Sequence, residues 1–448
     1  MAFTKSLLAA CLAVIQVVVA LDVANSGVGV YVMLSLTTVN NEGQLSDPSG
    51  LSGQLDKLKE ANIDGFMIDV WWGLTEKSSK KYDFTPYQQL VEMASQKNLK
   101  VQMVASFHQC GGNVGDTCNI PLPAWVLSNS DIWFKDQHGN EDKEYISFFA
   151  DNITLNDGRT PLQMYGDWMS ALASTFDKQL GNTVSEIQVG AGPCGELRYP
   201  SYVANFGWSY PGVGVFQVHD KYATASLASA GAAQKWTVPP SDAGDYNSKP
   251  SETNFFTIGY KTDYGRFFLD WYFENLKVHG GNVMAQASMA FKGKLPLASK
   301  VAGIHWWYGD DSHAAEVTAG YYNCNGRNAY QEIAAVLAKY QVALDFTCLE
   351  MRNSEQSAEF KSMPENLVRQ VLDAAAAEHT LVSGENALPR YDETAYQQIL
   401  SYRSNLHSFT YLRLTDQLLG GGFDTFKGFV QQMHNGDAAH LKTSIMVV

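Results

Sequence analysis

One helix and strand pattern occurs twice in residues 51–107, LSGQLDKLKEANIDGFMIDVWWGLTEKSSKKYDFTPYQQLVEMASQKNLKVQMVASF. Apolar side chains first repeat at the spacing of one helix face, at Leu51, Leu55 and Leu58. The apolar run 65–72 follows, and its length is typical of a strand buried on both faces. A second helix face (87–94) and a second apolar run (100–107) repeat the pattern. The stretch therefore predicts helices alternating with buried parallel strands.

Apolar runs of this kind occur eight times along the chain: 30–36, 65–72, 100–107, 184–190, 300–307, 343–349, 380–384 and 409–414. Eight parallel strands, each followed by a helix, close into a (β/α)8 TIM barrel, for which about 250 residues suffice. We therefore predict one α/β domain, residues 21–448, with long loops at the C-terminal face of the strands. Residues 107–151 and 198–250 are the longest insertions, and residues 263–292 have helical spacing.

Composition narrows the class of ligand. The net charge of -14 comes without any Lys/Arg cluster, so binding to nucleic acid or an anionic membrane is not expected. The chain is 45% hydrophobic and only 17% charged, which predicts a large core. Aromatic residues make up 12% of the chain, and flat apolar rings stack well on sugar faces, although most will belong to the core.

The first residues have the pattern of an export signal. Lys5 precedes the apolar run 7–19, and Val18, Val19 and Ala20 form a small-residue cleavage site. The run is too short to span a bilayer, for which about 20 residues are needed. We therefore predict a signal peptide over residues 1–20, a secretory destination and no membrane attachment after cleavage. The alternative is a buried N-terminal strand or helix.

Five cysteines remain after such cleavage: Cys110, Cys118, Cys194, Cys324 and Cys348. Cys110 and Cys118 could bridge their glycine-rich loop, but free, buried thiols are the favoured interpretation. No cysteine or histidine cluster has the spacing of a metal site, so neither a metal nor another cofactor is predicted.

Polar side chains stand at nearly every predicted strand end, where enzymes of this barrel type place their reactive groups. They are Asp69, His108, Glu196, Lys300, His305, Thr347, Glu385 and Arg413. Any one of them could instead be a satisfied core group or a loop-end ion pair.

Two carboxyl groups are what hydrolysis of a glycosidic bond needs, one as an acid and one as a base or nucleophile. The candidates are Asp69, Asp116, Glu196, Glu350 and Glu385. Glu196 and Glu385 each follow a glycine at a strand end, where a turn can aim the side chain into a cleft. Glu350 is interpreted as structural, in a salt bridge with Arg352 or another base.

The glycine-rich segment 111–116, GGNVGD, follows His108 directly and suits a lid that closes over a ligand. It has neither the Lys-Ser/Thr of a P-loop nor a full dinucleotide fingerprint, so nucleotide binding is not predicted.

Two longer segments, HQCGGNVGD (108–116) and GPCGELRYPSY (192–202), closely resemble the signature segments of the beta-amylases. The resemblance extends through GIHWWY (303–308), FTCLEMR (346–352) and SGENAL (383–388), and covers the chain from about residue 30 to at least 416. Cys194 departs from the family pattern, which usually has Ala or Ser there.

This resemblance implies an enzyme that releases maltose from the non-reducing ends of α-1,4-glucans with inversion, acting on starch, glycogen or maltodextrins as a monomer. It implies that Glu196 is the general acid and Glu385 the general base. It also implies substrate-binding or supporting roles for Asp69, His108, Asp116, Lys300, His305, Thr347, Asn386, Ala387 and Arg413. On geometry alone, Lys300 is expected nearer to Glu385 than to Glu196.

Two other functions stay open on the sequence. One is a different barrel glycosidase, retaining or endo-acting. The other is a catalytically silent barrel that binds or senses glucans, against which the presence of both Glu196 and Glu385 argues.

Overall fold

A closed barrel of eight parallel strands forms the centre of the molecule, in a computed structural model that describes residues 27–435. The ten strands of the described chain are β1 (Gly29–Met33), β2 (Gly65–Trp71), β3 (Lys100–Ser106), β4 (Trp133–Lys135), β5 (Glu141–Ile146), β6 (Val184–Val189), β7 (Leu297–Val301), β8 (Val342–Phe346), β9 (Val382–Glu385) and β10 (Ser408–Tyr411). Their order around the barrel is β1-β10-β9-β8-β7-β6-β3-β2, and every neighbouring pair is parallel. The predicted (β/α)8 barrel is confirmed.

Helices cover the outside of the barrel and fill the long loops. They are α1 (Pro48–Glu60), α2 (Trp72–Thr75), α3 (Thr85–Gln96), α4 (Ala124–Leu127), α5 (Pro161–Thr175), α6 (Lys221–Ala230), α7 (Asn254–Thr257), α8 (Asp263–Phe291), α9 (Ala314–Thr318), α10 (Ala329–Lys339), α11 (Pro364–Ala377), α12 (Glu393–Ser401), α13 (Asp416–Leu419) and α14 (Phe423–His434). The faces predicted from residues 51–58 and 87–94 are the buried faces of α1 and α3. Within residues 27–435, none of the helices combines the length and apolar character needed to cross a membrane.

The fifth barrel strand begins and ends earlier than predicted. The apolar run that predicts it spans residues 300–307, whereas β7 runs from Leu297 to Val301. Residues beyond it are apolar for a different reason: Ile304 and Trp306 pack into the main core from a loop, and the Trp306 indole N–H donates to the Gly212 carbonyl at 3.0 Å. Lys300 consequently lies within a strand of the barrel, not in front of one.

The longest loop insertions position the site above the barrel. The first, after β3, contains the antiparallel hairpin β4-β5. The second, after β6, carries α6 and ends before α8, a single helix of 29 residues that packs against α5. Both insertions follow the C-terminal ends of strands, as predicted.

Candidate active site

Glu385 ends β9 and is buried inside the barrel mouth. The ammonium of Lys300, on β7, lies 2.6 Å from Glu385 Oε1 and 4.0 Å from Asp345 Oδ2, on β8. The expectation that Lys300 lies beside Glu385 is therefore confirmed. Burial and the neighbouring Asp345 carboxylate raise the pKa of Glu385 to about 8, against the opposing effect of Lys300.

Lys300 keeps its charge in this setting. Burial alone would lower its pKa, but Glu385 and Asp345 outweigh that effect and the pKa is raised. Both oxygens of the Asp345 carboxylate are buried, and within residues 27–435 neither has a hydrogen-bond partner. Burial raises the pKa of Asp345 as well. The sequence alone predicts an ionised Glu385 but gives no indication that Asp345, a second carboxylate, lies beside it.

A chain of polar side chains continues from this cluster into the barrel. Glu186 on β6 accepts from the Gln102 amide at 3.1 Å, and Thr410 donates to Gln102 Oε1 at 2.9 Å. β3 and β10 are not neighbours in the barrel, so the second bond crosses its interior. Burial, together with the neighbouring charge of Glu385, raises the pKa of Glu186 to about 7. The barrel interior below the site is therefore polar and rich in carboxyl groups.

Glu196 lies on a tight turn after β6, the acid loop, residues 190–198. Cys194 in this loop has a φ of +54°, a left-handed conformation that is unfavourable for a side-chain-bearing residue. Its backbone N–H donates to Glu144 Oε1 at 2.7 Å, which holds the turn in place from β5. Arg198 Nε donates to Glu196 Oε2 at 2.6 Å.

The two predicted acids share one neighbour. Glu196 forms an isolated parallel bridge with Lys300 through the backbone, and the Leu197 N–H donates to the Lys300 carbonyl at 2.8 Å. The same lysine reaches Glu385 through its side chain. Lys300 thus brings β6 and β9, the strands that lead to the two glutamates, to the same end of the barrel.

Asp69 and His108 occupy the ends of two neighbouring strands, β2 and β3. Asp69 Oδ1 accepts from the Ser106 hydroxyl at 2.8 Å. Burial raises the pKa of Asp69, while the positive charge of Arg413 opposes the shift. Burial lowers the pKa of His108 to about 3, and its buried Nδ1 has no protein partner. His108 is thus a neutral imidazole with hydrogen-bonding capacity to spare.

The lid loop, residues 111–116, closes on itself through Asp116. Asp116 Oδ2 accepts from the backbone N–H groups of Gly111 at 2.9 Å and Asn113 at 3.3 Å. Three of its glycines have φ between +85° and +117°, which explains the glycine-rich sequence.

A disulfide between Cys110 and Cys118 joins the two ends of this loop, with the Cα atoms 5.6 Å apart. The preference for free thiols is therefore wrong for this pair, while Cys194, Cys324 and Cys348 are free. The pairing follows from a pair of backbone bonds between residues 110 and 120, which bring the loop ends together. Asp116 lies near both sulfurs, but sulfur in a disulfide supplies no thiolate ligand for a metal.

His305 and Thr347 lie beyond β7 and β8 on the same rim. The His305 Nδ1 forms a 2.7 Å hydrogen bond with the Ser362 hydroxyl, and burial lowers the pKa of His305 to about 4. Thr347 is half-buried. A Cβ atom at Gly303 would lie 2.8 Å from Thr347 Cγ2, which accounts for the glycine before His305.

Hydrogen bonds with Asn386 and Glu350 hold the segment after Glu385 in position. The side-chain amide of Asn386 donates to the carbonyls of Leu388 and Leu412 and accepts from the Leu412 N–H. The N–H groups of Ala387 and Leu388 donate to the two oxygens of Glu350, at 3.0 and 2.8 Å. Glu350 is structural, as predicted, but its partners are backbone amides and not a base. Asn386 positions the loop with its side chain, and Ala387 is exposed at the rim.

Arg413 follows β10 and donates to the Leu34 carbonyl at 3.1 Å. The predicted residues thus lie on the C-terminal rim of the barrel, on at least seven different strands or the loops after them.

Sequence reasoning missed several residues of this site. Asp345 and Glu186 were passed over inside apolar runs, although a carboxylate within a buried strand is itself a signal of an interior polar site. Glu144 gave no such signal, because it is 50 positions from Cys194 and meets its backbone N–H only in the folded chain. Arg198 lies two residues after Glu196, and that spacing is a local signal that could have identified it. Val114, on the lid loop, is an exposed apolar side chain, with 67% of its surface accessible.

Comparison with known proteins agrees with this geometry. A sequence profile described as Glycosyl hydrolase family 14 matches residues 31–439. The chain belongs to this family.

Relatives include a beta-amylase of Vigna unguiculata, 46% identical over 91% of this chain and 87% of its own. The relative from Oryza sativa subsp. japonica named "Beta-amylase 2, chloroplastic" is also 46% identical, over 91% of this chain and 77% of its own. The crystal structure of the catalytic domain of a beta-amylase from Paenibacillus polymyxa superposes with a TM-score of 0.77 and 29% identity, over 91% of this chain and 99% of that one. This family 14 chain is a glycoside hydrolase of the beta-amylase type, which releases maltose from starch.

The comparisons correct one prediction. A relative as similar as the rice enzyme is named chloroplastic, so the predicted secretory destination is wrong. The pattern that suggested export, residues 1–20, lies outside the described residues. An apolar run after one lysine is too small a signal to identify a compartment.

Proposed function

We propose that this enzyme acts on the non-reducing ends of α-1,4-glucans, including starch, glycogen and maltodextrins, and inverts the anomeric carbon. Glu196 is the general acid and Glu385 the general base. The single observation that supports this assignment is the position of Lys300, whose backbone pairs with Glu196 and whose ammonium contacts Glu385. Both carboxyl groups therefore line the same mouth. The proposal places them about 6.5 to 9.5 Å apart, which leaves room for a water molecule.

In the proposed reaction, Glu196 delivers its proton to the glycosidic oxygen as the bond to the anomeric carbon breaks. Glu385 takes a proton from a water molecule, and the water oxygen bonds to the opposite face of that carbon. The products are maltose in the β form and a glucan shortened by two glucose units. A pKa of about 8 makes Glu385 a stronger base than an ordinary carboxylate, but less than half of it is ionised below about pH 8.

In this proposal, residues on the rim of the barrel contact the substrate. Asp69, His108 and Arg413 hold one part of the glucan, and His305, Thr347 and Ala387 another, while Lys300 and Asn386 position the base. The lid loop closes over the ligand through Asp116 and excludes water. The whole domain, residues 21–448, acts as a monomer without a cofactor.

The test compares Glu196→Gln and Glu385→Gln on two substrates. A maltodextrin needs a protonated leaving group, whereas a maltosyl fluoride does not, so Glu196→Gln should lose activity mainly on the maltodextrin. Glu385→Gln should lose activity on both, because water activation is common to them. Glu92→Gln, an exposed carboxylate on α3, is the matched control.

Proton NMR of the first sugar released reports size and anomer together. Release of α-maltose would favour a retaining enzyme, and mixed longer products an endo-acting one. Absence of turnover by the wild-type chain, with glucan binding retained, would favour the silent barrel. Equal losses for Glu196→Gln on both substrates, with a selective loss for Glu385→Gln, would mean that the two roles are reversed.

A further inference from the structure

Arg198 is a buried arginine whose only ionic partner among residues 27–435 is Glu196. Its Nε donates to Glu196 Oε2 at 2.6 Å, and its side chain is 1% exposed against 18% for Glu196. The arginine lies behind the carboxylate, and the more open Glu196 side chain faces the cleft.

The protein fixes this guanidinium from several sides. Nη1 donates to the Tyr199 carbonyl at 3.2 Å, and Nη2 lies 3.5 Å from Cys194 Sγ. The Tyr202 ring centre is 4.1 Å from the guanidinium carbon, a cation–π distance. Because the guanidinium is planar and always charged, these contacts hold a permanent positive charge in one orientation.

Several other titratable or charged groups lie near the same carboxylate. Four of them interact with it electrostatically, namely Cys194, Arg198, Tyr202 and Tyr321. Two more, Glu144 and Lys300, are joined to the backbone of the acid loop. The lysine is engaged with Glu385, and Glu144 holds the Cys194 N–H. Arg198 is therefore the cation available to Glu196 at hydrogen-bond distance.

We propose that Arg198 is a positioning residue that orients Glu196 and stabilises the carboxylate which forms when its proton leaves. This inference rests on the proposed function, in which Glu196 is the proton donor. The proton moves from Glu196 to the glycosidic oxygen, the bond from that oxygen to the anomeric carbon breaks, and the Glu196 carboxylate stays paired with Arg198. Solvent then returns a proton to Glu196 before the next cycle.

The pairing has a consequence that can be measured. The fixed guanidinium lies 2.6 Å from the carboxylate oxygen on which negative charge develops as the proton of Glu196 leaves. Removing this positive charge should slow the proton transfer, and the loss should appear only where the leaving group needs that proton.

The experiment compares Arg198→Met with the wild type through kcat and KM on a maltodextrin and on a maltosyl fluoride. On the maltodextrin, kcat should fall roughly tenfold or more, because proton transfer from Glu196 is slowed. On the fluoride, kcat should change little, because no proton from Glu196 is needed. Arg369→Met, an exposed arginine on α11, is the control and should leave both activities unchanged.

If Arg198→Met fails to accumulate as folded protein, Arg198→Lys carries the same test. A lysine ammonium keeps the positive charge but cannot make the contacts to Glu196, Tyr199 and Cys194 together, so kcat on the maltodextrin should fall by a smaller factor than in Arg198→Met. Equal losses on both substrates would show that Arg198 is only structural. Failure of the proposed function looks different, because Glu196→Gln would then lose activity equally on the two substrates in the wild-type background.

Discussion

Replacing Asp345 with asparagine should shift the acidic limb of the pH profile to lower pH. Asp345 is a buried carboxylate whose oxygens have no hydrogen-bond partner, and it shares the Lys300 ammonium with Glu385. Asparagine keeps the shape of the side chain and removes the charge. Glu385 then loses the negative charge of its neighbour, and the Lys300 ammonium no longer interacts with a second carboxylate.

The size of the shift follows from the distances. Lys300 Nζ lies 2.6 Å from Glu385 Oε1 and 4.0 Å from Asp345 Oδ2. Those two oxygens are therefore at most about 6.6 Å apart, and at an effective dielectric constant of about 20 two unit charges at that distance repel by roughly 2.5 kcal/mol. Since one pH unit corresponds to about 1.4 kcal/mol, the pKa of Glu385 should fall by about 2 units.

The assay is kcat/KM on a maltodextrin from acid to neutral pH. A general base works only when ionised, so the acidic limb follows the pKa of Glu385 and should move down by the same amount. Asp424→Asn, an exposed aspartate on α14, is the control. An acidic limb that stays in place, in a variant that remains folded and active, would refute the electrostatic coupling of Asp345 to Glu385.

Asp345→Asn should also change the stability of the protein in a way that depends on pH. Burial raises the pKa of Asp345 in the folded state, so its ionisation disfavours folding. This penalty is absent below the unfolded-state pKa near 3.8 and grows as the pH rises towards the folded value. The melting temperature of Asp345→Asn should therefore exceed that of the wild type by a margin that grows from pH 4 upwards. A margin independent of pH would mean that the carboxylate is already paired in the folded protein.

Two further predictions concern the lid loop. Asp116→Ala removes the carboxylate that accepts hydrogen bonds from two N–H groups of the lid loop. A hydrogen bond to a charged group contributes about 1.5–3 kcal/mol, so kcat/KM should fall at least roughly tenfold. The melting temperature should change little. A loss of activity only in proportion to a lowered melting temperature would contradict the lid role. Cys118→Ser removes a disulfide that stabilises the closed form of this short loop by roughly 2.5 kcal/mol. KM should therefore rise by a larger factor than that by which kcat falls. Treatment of the wild type with a dithiol should have the same effect. Equal kinetics with and without the dithiol, in samples where thiol titration shows full reduction, would mean that the lid is held by other contacts.

The fold and the list of rim residues were predictable because both depend on position along the chain. In a parallel barrel, every strand delivers its C-terminal end to the same face, so a polar residue after an apolar run is placed by local sequence alone. His108 after β3 and Glu385 at the end of β9 are found in this way. The fifth strand shows the limit of the rule, since the apolar residues after Val301 serve the packing of a loop.

Contacts across the barrel could not be predicted, because they join residues that no local pattern relates. Gln102 and Thr410 are 308 positions apart and meet inside the barrel. The backbone amides that satisfy Glu350 come from a loop after another strand, so a nearby arginine was the natural but wrong partner to choose. The disulfide depended on the backbone bonds at the base of the lid loop, which the sequence does not display.

The electrostatic surroundings of the two acids belong to this second class. Glycine before Glu196 and before Glu385 locates both side chains, but it says nothing about what faces them. Glu196 meets the fixed cation of Arg198, while Glu385 shares the cation of Lys300 with a second carboxylate, Asp345. The assignment of acid and base from position alone would be unchanged if these partners were exchanged, yet the chemistry would not. The kinetics of Arg198 variants on the two substrates and the pH profile of Asp345→Asn therefore test what motif matching leaves open, namely which charged partner acts on each glutamate.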